Sequence, residues 1–183
     1  AMHFTGDQLC FLQYTSGSTS APKGVMIPWS SLTHNMKTIV SSLEADDSTV
    51  VVSWLPQYHD MGLIGSLLSM LYISYLLASD SFTPLRGSGV YFSPLHFILN
   101  PFLWLLLASK YHATHLQGPN FAYALLLRRL PLFKQPAALD LHTIRHIFNA
   151  AEPISVDVAL QFITTFAQFG LPRHAMTGGY GLA

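Results

Sequence analysis

Charge is scarce in this chain. Of its 183 residues nine are Lys or Arg and nine are Asp or Glu, a tenth of the whole and balanced to zero, where an ordinary soluble domain carries about a quarter. The balance argues against nucleic acid or an anionic membrane as partner, since both demand a basic face. The scarcity itself describes an interior-rich piece, with a face made to be covered by further sequence. Cysteine is scarcer still. Cys10 stands alone, which rules out an internal disulfide framework and fits a reducing cytoplasm. It lies in an apolar run, so a buried, inert thiol is expected. A signal peptide is missing from Ala1 to Asp7, which has neither a basic start nor an apolar core. Repeats and low-complexity tracts are absent too. One uncharged run, Met61 to Ser79, approaches spanning length. Its Gly62, Gly65 and serines, and its place straight after a polar motif, favour a buried helix over a membrane span.

What is present is apolar. Half of the residues are hydrophobic, enough at this length to build one core, as one domain or part of a larger one. The pattern alternates. Leu9 to Tyr14 reads as a short buried strand and Val25 to Ile27 as extended chain. Pro28 with Ser30 or Ser31 offers helix-start chemistry before a helix over Ser30 to Leu43. Its apolar side carries Leu32, Met36, Ile39, Val40 and Leu43. Thr49 to Trp54 is β-branched enough for a strand, and a helix follows over Met61 to Leu77. Ser79 to Gly89 is punctuated by Asp80, Pro84, Gly87 and Gly89 and reads as an exposed connection. Further helices are expected over Ser93 to Leu99, Pro101 to Tyr111, Asn120 to Arg129 (capped by Asn120) and Ser155 to Phe169. Further strands are expected at Ala113 to Gln117, Thr143 to Asn149 and His174 to Thr177. Leu130 to Asp140, with Pro131 and Pro136, reads as a linker. Strands alternating with helices predict an α/β fold, a largely parallel sheet with flanking helices.

The stretch with most chemistry is Tyr14-Thr-Ser-Gly-Ser-Thr-Ser-Ala-Pro-Lys-Gly-Val25. Glycines let backbone N–H groups approach an anion closely. The hydroxyls add donors, and Lys23 adds a compact positive charge suited to phosphate. It is not a Walker loop, because Lys23 precedes Gly24 and no Gly-Lys-Ser/Thr run follows. Composition alone equally allows a flexible surface loop. The ordering resembles the phosphate-binding loop of the adenylate-forming superfamily, and Leu-Gln-Tyr-Thr-Ser-Gly-Ser-Thr-Ser-x-Pro-Lys-Gly-Val is most similar to its fatty acyl-AMP ligase branch.

That resemblance extends along the chain and implies a set of roles. Thr15, Ser16, Gly17, Ser18 and Thr19 would hold the β- and γ-phosphates of ATP, with Lys23 beside the leaving pyrophosphate. Such donors stabilise the charge that develops when a carboxylate attacks the α-phosphorus. Trp54-Leu-Pro-Gln-Tyr-His-Asp-Met-Gly62 resembles the next family motif. There His59 would place the fatty acid carboxylate, while Asp60, Met61 and Gly62 shape the tunnel entrance; read alone, the stretch is a surface loop with a solvated histidine. Gln117-Gly-Pro-Asn-Phe-Ala-Tyr123 matches the segment that lines the acyl site, through Gly118, Pro119 and Phe121. Without the family, Phe121 and Tyr123 are core aromatics. Phe148-Asn-Ala-Ala-Glu-Pro-Ile154 and Gly178-Gly-Tyr-Gly-Leu-Ala183 resemble adenine-binding elements. Ala150, Ala151 and Glu152 would flank the base edge, Tyr180 would stack on its face, and Gly181 would lie alongside. The plain alternative for Gly178 and Gly179 is a left-handed turn.

The resemblance implies part of the AMP-binding N-terminal domain of an acyl-activating enzyme, spanning residues 1–183 without the C-terminal domain. The family's Mg²⁺-holding glutamate would come after Ala183, so ATP and Mg²⁺ are cofactors of an intact parent and no metal ligand is assigned here. The expected partners are a fatty acid and the phosphopantetheine arm of an acyl carrier protein, in the cytoplasm. An acyl-CoA synthetase, or a non-catalytic module that binds nucleotide or acyl-adenylate, remains open as an alternative. The Ser79 to Gly89 connection is longer than the family has here and reads as an insertion. Among the nine histidines, His112 with His115 and His142 with His146 have ligand-like spacing. Neither pair has the Glu or Cys company of a zinc site, so no transition metal is expected.

Overall fold

Five strands that pair only in parallel make the centre of the molecule. In the computed structural model, which describes residues 5–14, 22–77, 87–134 and 139–181, they are β3 (Val50–Ser53), β4 (Ser88–Tyr91), β5 (His115–Gly118), β6 (His146–Asn149) and β7 (Met176–Gly178). Their order across the sheet is β4-β3-β5-β6-β7. Each adjacent pair is parallel: Val51 lies opposite Gly89 and His115, Gly118 opposite Asn149, and Asn149 opposite Gly178. The predicted α/β fold with a parallel sheet is therefore present. A separate antiparallel hairpin joins β1 (Leu9–Tyr14) to β2 (Gly24–Pro28), with Tyr14 opposite Gly24.

Side chains alternate across a strand, so neighbouring valines of β3 serve opposite faces. Val52 joins the larger core with Leu116 and Ile147 of the next strands. That core is completed by α5 (Phe102–Lys110), α6 (Asn120–Arg129) and α7 (Val156–Phe166), through Trp104, Leu105, Tyr123, Leu126, Phe162 and Phe166. Val51 faces the other way, onto Met70 and Ile73 of α3 (Ser69–Leu77) with Val40 of α1 (Trp29–Ser42) beside them. Trp104 is wholly buried, and its indole Nε1–H donates to the Val52 carbonyl at 2.8 Å, satisfying the one polar group it brings inside.

The remaining helical turns sit at the mouth of the sheet. Here α2 (Asp60–Gly62) continues without a break into a π-helical segment, Leu63–Leu68, and then into α3. A short helix α4 (Pro94–Leu99) starts on Ser93, whose Oγ accepts the Leu95 N–H. Likewise α7 starts on Ser155, whose Oγ accepts the Val158 N–H. Among the described residues no helix is long and apolar enough to cross a membrane.

Several expectations need correction. β4 was not anticipated: Ser88 and Gly89 belong to it rather than to an exposed connection, and residues 79–86 of that connection lie outside the described ones. The strand Leu9–Tyr14 is present but not buried. Leu9, Leu12 and Tyr14 are exposed, because a two-stranded hairpin has a partner on one side only. Cys10 is accordingly half-buried, with its thiol pKa pushed up by that burial. Neither Ser30 nor Ser31 caps α1, which starts directly after an extended Pro28 with no side-chain cap. Asn120 does not cap α6 either; its side chain is engaged elsewhere, as described next.

Candidate functional site

In a parallel sheet every strand ends at the same edge, and open α/β folds bind ligands there. All the later motifs leave from that edge. Trp54 follows β3, Pro119 follows β5, Ala150 follows β6 and Gly179 follows β7. Adjacent exits are bonded to one another: the Gly179 N–H donates to the Asn149 carbonyl at 2.9 Å and the Ala150 N–H to the Gly118 carbonyl at 3.4 Å. The segments Trp54–Gly62, Gly118–Phe121, Ala150–Glu152 and Gly179–Gly181 thus share one edge.

Aromatic packing joins the first two. Trp54 stacks face to face on Phe97 at 3.9 Å, and both meet Phe121 edge-on at 5.9 and 6.5 Å. Gly118 keeps the space below them tight, since a Cβ there would sit 3.2 Å from Cη2 of Trp104 and the ring would have to give by a few tenths of an ångström. Sequence reading saw Phe121 but missed Phe97, whose place beside it depends on tertiary packing.

His59 and Asp60 sit at the start of α2, with Gly62 buried and Met61 half-buried behind them. Oδ1 of Asp60 lies 2.6 Å from Nδ1 of His59 and accepts the Met61 N–H at 2.8 Å. The Met61 N–H is also 3.3 Å from Nδ1. One nitrogen cannot serve as donor and acceptor together. The shorter contacts assign the proton to Nδ1, donating to Asp60, and leave Nε2 as an acceptor on a half-exposed ring. Gly62 has no alternative: a Cβ there would run into the Pro56 carbonyl.

The π-helical turn behind this motif exposes carbonyls that neighbouring strands must satisfy, as such turns at functional sites often do. Gln117 Nε2 donates to the Gly65 carbonyl at 2.8 Å and Tyr91 OH to the Ser66 carbonyl at 3.2 Å. Ser66 Oγ donates to Ser53 Oγ at 3.1 Å. Burial raises the Tyr91 phenol to about 12, so it stays a donor. A narrow cleft runs beneath, lined by Gly65, Ser69, Met70, Ile73, Gln117 and Phe148.

The phosphate-loop residues Thr15, Ser16, Gly17, Ser18 and Thr19 lie outside the described residues. Their flanks do not. Lys23 is exposed at the return of the hairpin, and buried Gln13 donates its Nε2–H to the Tyr58 carbonyl at 3.2 Å. The hairpin is thereby fastened to the loop carrying His59, a tie that the sequence did not reveal.

On the far side, Ala150 is buried while Ala151, Glu152, Tyr180 and Gly181 are exposed, Tyr180 at 90 %. Ala151 has φ +72°, a left-handed conformation costly to a residue with a Cβ. Gly178 and Gly179, where such a turn was the plain alternative, are not left-handed. Gly179 is required for space instead, since a Cβ would strike the ring of Phe148. Of the histidine pairs, His115 faces the ring of His146 at 5.1 Å and donates to the Leu43 carbonyl, whereas His142 pairs with Asp140. Among the described residues no group of three His, Cys, Asp or Glu is placed to hold a metal.

A parallel sheet whose carboxyl edge gathers these segments is an open α/β fold of the kind that binds ligands at that edge. The chain matches the AMP-binding enzyme family over residues 2–183 and belongs to it. It is 42 % identical over 178 residues to the medium-chain-fatty-acid–[acyl-carrier-protein] ligase TtuA of Teredinibacter turnerae, and 40 % identical to the ligase JamA of Moorena producens, described by the same words. In each case 97 % of this chain is covered, but only 26 % and 28 % of the relative's length. The crystal structure of a fatty acyl-adenylate ligase from L. pneumophila, in complex with acyl adenylate and pyrophosphate, superposes with a TM-score of 0.86 at 36 % identity. It covers 99 % of this chain and 30 % of that one.

Proposed function

We propose that this chain supplies the AMP-binding N-terminal portion of a fatty acyl-AMP ligase. The supporting observation is the single edge that the aromatic wall, the His59 loop and the Ala150–Glu152 loop share, with the hairpin tied to the His59 loop through Gln13, taken with the ligases to which the chain is similar.

A fatty acid carboxylate oxygen attacks the α-phosphorus of ATP. A new P–O bond forms, the bond to the bridging oxygen breaks, and its electrons leave with pyrophosphate. Preorganised cations and N–H donors stabilise that charge. Lys23 serves there, together with Thr15 to Thr19. His59 borders the fatty acid carboxylate, its ring oriented by Asp60 through Nδ1. Met61, Gly62, Gly118, Pro119 and Phe121 border the acyl chain. Ala150 and Ala151 flank the adenine edge beside Gly181, and Tyr180 presents an open aromatic face for stacking. Mg²⁺, where bound, would neutralise phosphate charge; none of the residues named here is assigned to hold it. The thiol of an acyl carrier protein's phosphopantetheine arm then attacks the acyl carbonyl, forming a C–S bond as the C–O bond to AMP breaks and AMP leaves, in the cytoplasm.

The test is exchange of labelled pyrophosphate into ATP by the natural gene product, with and without fatty acid. Exchange that requires fatty acid supports the reading; exchange indifferent to it, or none, overturns it. Release of acyl groups to free coenzyme A in place of a carrier protein would assign an acyl-CoA synthetase.

A further inference from the structure

Two hydrogen bonds cross between the start of α6 and the loop that follows β6, and they run in opposite directions. A carboxylate oxygen of Glu152 accepts the N–H of Phe121, in the first turn of α6. In return Oδ1 of Asn120 accepts the N–H of Ser155 at 3.1 Å, and it also receives Nδ2 of buried Asn149 at 3.4 Å. Neither α6 nor the loop could provide these partners alone. The first N–H groups of a helix have no partner within it, and α6 has no cap of its own. Glu152 therefore caps it from another element, and its negative charge faces the positive end of the helix dipole.

The backbone is bent to permit this. Ala151 holds φ +72° without being glycine, and the residue it delivers is Glu152. A left-handed alanine persists only where surrounding structure over-determines it. Two crossing bonds, anchored at Asn149 in the buried strand end, do so.

We propose that Glu152 is a positioning residue for the acyl site, rather than a reader of the adenine edge. Its carboxylate is committed to Phe121, which stands edge-on to Trp54 in the aromatic wall. Glu152 and Asn120 together form a clamp that holds the acyl wall against the nucleotide loop, so that each substrate is bound on a surface the other's loop steadies. The inference rests on the ligase reading above.

The experiment compares the natural gene product with Glu152→Ala, Glu152→Gln and Asn120→Ala in fatty-acid-dependent pyrophosphate exchange, with ATP and GTP as nucleotides and a ladder of fatty acids. Losing one charge-assisted bond at the wall predicts KM for fatty acid raised about tenfold in Glu152→Ala. A changed chain-length preference and an unchanged ATP-to-GTP ratio should accompany it. Glu152→Gln keeps an acceptor oxygen and recovers most of the loss, and Asn120→Ala reproduces the Glu152→Ala pattern. A raised KM for ATP with reduced ATP-to-GTP discrimination and unaltered fatty acid KM would overturn the clamp in favour of base reading. Unchanged kinetics in every variant would overturn it outright. If Glu152→Ala does not fold, Glu152→Gln and Asn120→Ala decide by the same two ratios. Absence of fatty-acid dependence in the unmodified protein would defeat the ligase reading itself, a result distinct from any of these.

Discussion

Gln13 donates its side-chain N–H to the carbonyl oxygen of Tyr58 at 3.2 Å, across 45 residues of sequence. Gln13 lies opposite Val25, one step from the connection between the strands, so the bond pins the hairpin close to its return. In the ligase reading it fixes the distance between Lys23 and His59, which serve the phosphates and the carboxylate. Small displacements of reacting groups cost rate steeply. Gln13→Leu is expected to lower kcat for pyrophosphate exchange by about tenfold, from one lost hydrogen bond and a loosened hairpin. Thermal melting alongside the kinetics checks that the fold survives.

Lys23 makes a different prediction, because its charge acts on the leaving group. Lys23→Ala should reduce kcat by about a hundredfold with little change in KM for fatty acid. Steady-state exchange at saturating and limiting substrate separates the two parameters. Indifference to the change would remove Lys23 from the chemistry and favour a non-catalytic binding module.

His115 supplies the pH dependence. Buried beneath α1, it donates from Nε2 to the Leu43 carbonyl at 2.7 Å, and Nδ1 lies 2.8 Å from the Thr114 hydroxyl. Burial lowers its pKa to about 4, with the Leu43 bond opposing. Above the unfolded value near 6.5 both states are neutral and the group contributes nothing to pH dependence. As pH falls from about 6.5 to about 4 the unfolded chain takes up a proton that the folded one refuses, at a cost on the order of 3 kcal/mol. Urea midpoints should therefore fall between pH 6.5 and 4.5, and His115→Gln should flatten that slope.

Gly179→Ala tests the packing of the edge. A Cβ there strikes Phe148, and overpacking of this kind costs about 1–3 kcal/mol. Reduced melting temperature, with the loss lessened by a companion Phe148→Leu, is the expected result.

The sequence showed the main outline because its patterns were local. The β-branched run at Thr49–Trp54 and the serines at 93 and 155 specify a strand and two caps with no outside help. β4 escaped because Ser88 and Gly89 carry little strand character of their own and are drawn into the sheet by β3. Within the site, Trp54, His59 and Phe121 were legible as motif residues. Their neighbours were not: Phe97 reaches Trp54 from a separate helix, and Gln13 reaches Tyr58 through tertiary docking. Asn120 looked like the cap of its own helix, yet it caps a neighbour's loop and leaves its helix to Glu152. A capping residue is visible in sequence; whom it caps is a tertiary fact.

The π-helical segment Leu63–Leu68 works as a rotary coupling within one continuous rod. In front of it the rod aims His59 and Asp60 at the ligand edge; behind it the rod aims Met70 and Ile73 into the sheet. Each residue advances an α-helix by about 100°, so one extra residue in the turn sets the azimuth of the rear half independently of the front. Deleting a single residue from 63–68 would re-aim Met70 and Ile73 and withdraw the Gly65 and Ser66 carbonyls from Gln117 and Tyr91, while His59 and Asp60 keep their place. That part of the chain should tolerate substitutions far better than a change in length.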